Sequence, residues 1–157
     1  MIEIFYKKDG QMMVSQSEAS LTEISYDSVV WIDLFSPSGE EKRAVETYLG
    51  TTIQNRAQAE EIEISSRFSE TEQAIFANTS FLIPGPEEYG EETVSFILKD
   101  NILTTLRESP LKSFTDLQRR LMAFPKMYES GHIAFLSILE QRIDLDADMV
   151  ELVSKEV

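Results

Sequence analysis

The sequence predicts an α/β fold, an α/β/α sandwich in which a mixed, mostly antiparallel sheet lies between helix layers. Three observations carry this. Two stretches, residues 2–14, which begin with alternating apolar residues, and 94–106, which are apolar and β-branched, return on themselves through short polar turns. Val29 to Phe35 is a nearly continuous apolar run with only Asp33 polar, as expected of a strand covered on both faces. Helix-start signals at Ser38 and at Ser109-Pro110 mark where helices take over from these strands.

The first strand holds Ile2, Ile4 and Tyr6; Asp9-Gly10 supplies a two-residue turn, and Met12 to Val14 returns as its partner. Val29 to Phe35 is read as central in the sheet. Asp33, near its end, has no partner motif for catalysis, and an acid in such a place more often accepts hydrogen bonds. Ser38-Gly39-Glu40-Glu41 is a capping box and Gly50 a C-terminal stop, so a helix runs between them and buries Ala44, Val45, Tyr48 and Leu49. Its charged face, with Glu40, Glu41, Lys42, Arg43 and Glu46, is most simply a solvated surface.

A second helix is predicted from Asn55, capped with the help of Gln58, and its narrow apolar side is Ala57, Ala59, Ile62 and Ile64. After Ser65-Ser66 the period changes from about 3.6 residues to about 2, which marks the passage into sheet. Arg67 to Thr71 and Ala74 to Ile83 then read as strands joined by a turn at Glu72-Gln73. The prolines and glycines of Ile83 to Glu92 predict a loop, which carries Glu87, Glu88, Glu91 and Glu92. A solvated acidic loop and a divalent-ion site both fit that run, since Mg²⁺ takes carboxylate and water oxygens but needs them to converge.

Val94 to Leu98 and Ile102 to Leu106 form a second hairpin around Lys99-Asp100-Asn101. Ser109-Pro110 opens a helix with Pro at its first position, whose stripe is Leu111, Phe114, Leu117, Leu121 and Phe124 and which ends at Pro125. From about Gly131 no breaker interrupts the chain. Leu136, Ile143, Val150 and Val157 recur at heptad spacing, with Leu139 and Val153 in the second apolar position but Asp146 between them, and Asp144, Asp148 and Glu151 form an acidic edge. The stripe is intact at the last residue, which reads as the boundary of a fragment. The organisation expected is therefore an α/β domain over 1–130 and the start of a long helix over 131–157.

A chain of 157 residues, 42% hydrophobic, fits one domain with an ordinary core. Its net charge of -14, from 28 acids against 14 bases, argues against nucleic-acid binding and favours cations. With no cysteine, disulfides and thiolate sites are excluded, and any metal is left with oxygen ligands. The one histidine, His132, opens the last helix, where a surface role is expected. No nucleophile and base stand at usable spacing, no glycine-rich phosphate loop occurs, and no apolar run approaches the roughly 20 residues that span a bilayer.

The ordered series of Trp31-Ile32-Asp33-Leu34, the Ser36 to Glu41 helix start, Glu60 to Phe68, Val94 to Leu98 and Leu103 to Glu108 resembles the soluble N-terminal domain of CorA-type magnesium/cobalt transporters. The resemblance runs from about residue 29 to the C-terminus. It implies a regulatory domain rather than an enzyme, held at the cytoplasmic face of the inner (plasma) membrane through pore helices and a Gly-Met-Asn motif C-terminal to residue 157. It also implies a homopentamer when full-length, so that partners are other protomers; the fragment itself is expected to be monomeric or weakly self-associating. In this family divalent-sensing carboxylates lie near the acidic loop and near the Asp144 position. Glu87, Glu88, Asp144 and Asp148, with Glu91 in reserve, are therefore the candidate ligands for weakly bound regulatory Mg²⁺ or Co²⁺. Two other classes compete: a metal-dependent phosphohydrolase using Asp33 with the loop acids, and an adaptor holding a partner by its acidic surface.

Overall fold

Among the described residues seven strands make one sheet: β1 (Ile2–Lys8), β2 (Gln11–Ser15), β3 (Val29–Phe35), β4 (Phe68–Glu70), β5 (Ile75–Ile83), β6 (Gly90–Lys99) and β7 (Ile102–Arg107). Their order is β2-β1-β3-β7-β6-β5-β4. The computed structural model describes residues 1–53, 68–70, 74–83 and 90–141. Every neighbouring pair is antiparallel except β3 and β7, so the sheet is mixed and mostly antiparallel as expected. Both predicted hairpins close through two residues with left-handed backbone, Asp9 and Gly10 at φ 52 and 77 and Asp100 and Asn101 at φ 51 and 71. That geometry matches the right-handed twist of the flanking strands, and short polar residues tolerate it.

β3 is interior, paired with β1 on one side and β7 on the other, and six of its seven residues are buried. Its register against β1 is broken once. Phe5 faces Trp31 but Tyr6 faces Val29, which leaves Val30 as a bulge. The bulge resets the alternation, so Val30 and Trp31 both join the same core cluster.

Two helix layers cover the sheet. On one face α1 (Gly39–Leu49) brings Val45 and Leu49 against Ile2, Ile4, Ile32, Leu34 and Ile97. On the other, α2 (Lys112–Ala123) and α3, helical over 131–141, bring Phe114, Leu117, Leu121, Ala134 and Ile138 against Phe5, Trp31, Phe96 and Leu103. The capping box of α1 forms as read: Ser38 Oγ accepts from the Glu41 amide at 3.1 Å, and Glu41 Oε1 accepts from the Ser38 amide at 2.9 Å. Gly50 ends the helix at φ 70. Among the described residues no helix is long and apolar enough to cross a membrane.

Four readings change. Gly90 to Glu92 belong to β6 rather than to a loop, because they pair with Phe81 to Ile83 and ladder hydrogen bonds outweigh their low strand propensity. α2 starts at Lys112 with Leu111 as N-cap, two residues after Pro110, since Ser109 is held outside the helix by bonds to Arg107 and Glu92. Phe124 is 57% exposed, because at φ -132 and ψ 63 the backbone has already left the helix and carries the ring off the stripe. Leu136 is 64% exposed, since Ala134 and Ile138 are the residues α3 turns to the core. The helix from Asn55, the turn at Glu72-Gln73 and the heptad positions from Ile143 onward lie outside the described residues.

The base of α3 meets the sheet at Gly131, whose amide donates to Asn101 O at 2.6 Å. A Cβ there would stand 2.1 Å from Leu103 N and 2.7 Å from Ile102 C. Gly131→Ala is thus expected to lower stability by about 2–3 kcal/mol through backbone displacement. Gly39→Ala meets only the flexible end of Arg43 and should instead stabilise by several tenths of a kcal/mol. Urea titrations of both variants check this pair.

Burial pushes the Glu41 carboxyl up, but the Ser38 amide and the N-terminal ammonium at 3.2 Å outweigh it and hold its pKa below the ordinary 4.5. A pKa lowered by folding stabilises above the unfolded value and loses that effect as pH falls through the folded one. The stability difference between the native chain and Glu41→Gln should accordingly be present at neutral pH and shrink as pH falls below 4.5, as read by urea titrations across that range.

Candidate metal centre and the buried polar network

The acidic run divides where β6 begins. Neighbouring residues of a strand point to opposite faces, so Glu91 and Glu92 part company. Glu91 is exposed, and its backbone pairs with Leu82. Glu92 is 5% exposed and engaged: Oε1 accepts from the Glu108 amide at 2.6 Å and Oε2 from Ser109 Oγ at 3.1 Å. It anchors the connection from β7 to α2. Of the five candidate ligands, Glu87, Glu88, Asp144 and Asp148 lie outside the described residues, and Glu91 supplies one carboxylate open to solvent. Among the described residues no three Asp, Glu, His or Cys side chains gather as a metal site. His132 is exposed on the first turn of α3, as its position suggested.

Among the described residues a dense buried polar network lies at the C-terminal ends of the parallel strands β3 and β7. Asp33 is 1% exposed and Arg107 6%. Arg107 Nη2 donates to Asp33 Oδ2 at 2.8 Å and Nε to Oδ1 at 3.2 Å, a two-point pairing, while Nη1 donates to Ser109 O at 2.9 Å. The guanidinium carbon lies 4.5 Å from the Phe35 ring centre and 4.9 Å from that of Phe114. Thr105 Oγ1 donates to Asp33 Oδ1 at 2.8 Å and accepts from Trp31 Nε1 at 3.0 Å. Every oxygen of Asp33 is therefore in use, and it serves as the hydrogen-bond acceptor that its place in the strand implied.

Arg107 as its partner escaped sequence reading. The two residues stand 74 apart, and only the parallel register, Asp33 beside Thr105 and Phe35 beside Arg107, brings them together. The one available signal was an arginine ending an otherwise uncharged strand. Arg107→Met, which leaves Asp33 buried without its counter-ion, should cost about 3–5 kcal/mol. The double change Asp33→Leu, Arg107→Met should cost clearly less than Arg107→Met alone. Urea unfolding followed through Trp31, the only tryptophan, measures both.

The sequence matches the family described as CorA-like Mg2+ transporter protein over residues 26–157. It is 32% identical to the magnesium transport protein CorA of Wolinella succinogenes across 99% of this chain and 50% of that protein. The chain thus spans about half the length of the curated relatives it matches most fully. In three dimensions it superposes on the full-length CmaX protein with a TM-score of 0.70 at 10% identity, covering 99% of this chain and 49% of the other. The soluble domain of CorA from Methanocaldococcus jannaschii superposes with a TM-score of 0.61 at 19% identity, over 99% of this chain and 64% of that one. These structural likenesses speak to the fold, and the sequence match along most of the chain establishes descent: this chain belongs to the CorA-like Mg2+ transporter family.

Proposed function

We propose that this chain is the cytoplasmic regulatory part of a CorA-like transport protein for Mg²⁺, with Co²⁺ accepted by the same oxygen chemistry. The observation that carries this is the family match over residues 26–157 in a chain that covers half of a relative named as a magnesium transport protein. On this reading residues 1–130 form the sensing domain and 131–157 begin the helix that leads toward the membrane part, and the protein works at the cytoplasmic face as a homopentamer. Glu87, Glu88, Asp144 and Asp148, with Glu91, act as the sensing carboxylates. Glu91 has the exposure such a role needs, whereas Glu92 is spent on the β7–α2 connection.

The mechanism is linkage. Ions bridging carboxylates of adjacent protomers stabilise the closed assembly when cytoplasmic Mg²⁺ is high, and their loss leaves like charges facing one another. A net charge of -14 on each chain supplies that repulsion. A phosphohydrolase reading would need Asp33 as a free acid, and Asp33 is buried and fully bonded. The isolated chain holds only one half of each bridging site, so calorimetry should show weak Mg²⁺ binding. In the full-length protein, Asp144→Asn with Glu88→Gln should keep the channel conducting at cytoplasmic Mg²⁺ levels that close the native one. Closure with an unchanged Mg²⁺ dependence would make these residues ordinary surface acids.

A further inference from the structure

We propose that the two-residue turn between β6 and β7 is a joint that ties the base of α3 to the α1 layer on the opposite face of the sheet, with the Tyr26 hydroxyl as its latch. Three consecutive residues, Lys99 at the end of β6 and the two of the turn, each hold a different element. Lys99 Nζ donates to Leu49 O, the last carbonyl of α1, where a cation also suits the negative end of the helix. Asp100 Oδ2 accepts from the Tyr26 hydroxyl at 2.9 Å. Asn101 O accepts from the Gly131 amide at the start of α3.

The latch is itself anchored in the α1 layer. The Tyr26 ring packs on Tyr48 of α1 at 5.2 Å between centres, and the Tyr48 hydroxyl donates to Ile24 O at 3.3 Å. Burial first, then the hydrogen bond to Asp100 and its charge, push the Tyr26 pKa up to about 12, so this hydroxyl keeps its proton throughout the neutral range. Slack is small on both sides of the joint. Asp100 and Asn101 both occupy the left-handed region in a turn of minimum length, and the seat of Gly131 on Leu103 has no room even for a methyl group. The first turn of α3 therefore cannot leave the sheet without either breaking its bond to Asn101 or moving a turn that Tyr26 and Leu49 hold from the other side. The joint belongs to the described fold alone and does not depend on the ion-sensing reading.

Amide hydrogen exchange on this chain tests it, because exchange reads local opening segment by segment. Tyr26→Phe deletes one oxygen from a partly exposed ring and is expected to speed exchange at Gly131 and Ala134, across the sheet, by about fivefold or more. Amides of the β1–β2 hairpin should keep their native rates. Asp100→Asn retains an acceptor oxygen and should leave Gly131 protected, whereas Asp100→Ala should reproduce Tyr26→Phe. Reciprocity requires Gly131→Ala to speed exchange of the Gly50 amide, which closes α1 on Glu46 O. Native exchange at Gly131 and Ala134 in Tyr26→Phe would overturn the proposal. So would an equal rise at every amide, the β1–β2 hairpin included, which reports only a global loss of stability.

Discussion

A guanidinium and a carboxylate buried together at the end of the parallel strand pair β3 and β7 constrain most of the described fold. Arg107 and Asp33 sit on β7 and β3, and their pairing requires those strands to lie side by side in one register. A slip of one residue would turn Asp33 to the other face and leave two ions in an apolar interior, each costing several kcal/mol. The net gain from forming such a pair is small, because desolvation offsets most of the attraction. Its weight lies in the alternatives it makes expensive. The same pair reaches outward: Ser109 is held by Arg107 and by Glu92, so the start of α2 and the first residues of β6 are drawn to the same corner.

Around that corner the packing is aromatic. Phe5 stacks on Trp31 at 4.9 Å, Phe114 meets the Trp31 edge at 5.8 Å, and Phe96 lies 5.0 Å from Phe135 of α3. The buried core of the α1 face is aliphatic by contrast, built from Ile2, Ile4, Ile32, Leu34, Val45 and Leu49, with aromatic rings, those of Tyr26 and Tyr48 among them, only at its partly exposed margin. Large flat rings beneath α2 and α3 and compact branched chains beneath α1 give the two layers different chemistry. The Trp31 and Thr105 polar atoms are satisfied inside the aromatic layer by the Asp33 network, so its aromatic content leaves no cost in unpaired donors.

For a member of a family of ion transporters, the division of labour among acids is informative. Asp33 and Glu92 are buried acceptors that hold the chain together, while Glu41 caps a helix. These carboxylates are committed to structure. Glu91, by contrast, stands exposed on β6 one residue from the buried Glu92.

By itself the sequence determined the parts whose cause is local. The Asp9-Gly10 turn, a polar turn at Lys99 to Asn101, the Ser38–Glu41 box, the Gly50 stop and the covered strand Val29–Phe35 could all be read, since each arises from the conformational preference or polarity of residues near in the chain; the structure moved only Lys99, into β6. The ordered motifs also carried the family. Only the tertiary structure decided the Arg107 partner of Asp33, the burial of Glu92, the bulge at Val30, the exposed sides of Phe124 and Leu136, and the meeting of Gly131 with the β6–β7 turn. Each of these depends on which distant segments lie together. Pairing over a separation such as the 74 residues between Asp33 and Arg107 is chosen by the packing of the whole sheet, on which local residue patterns are silent.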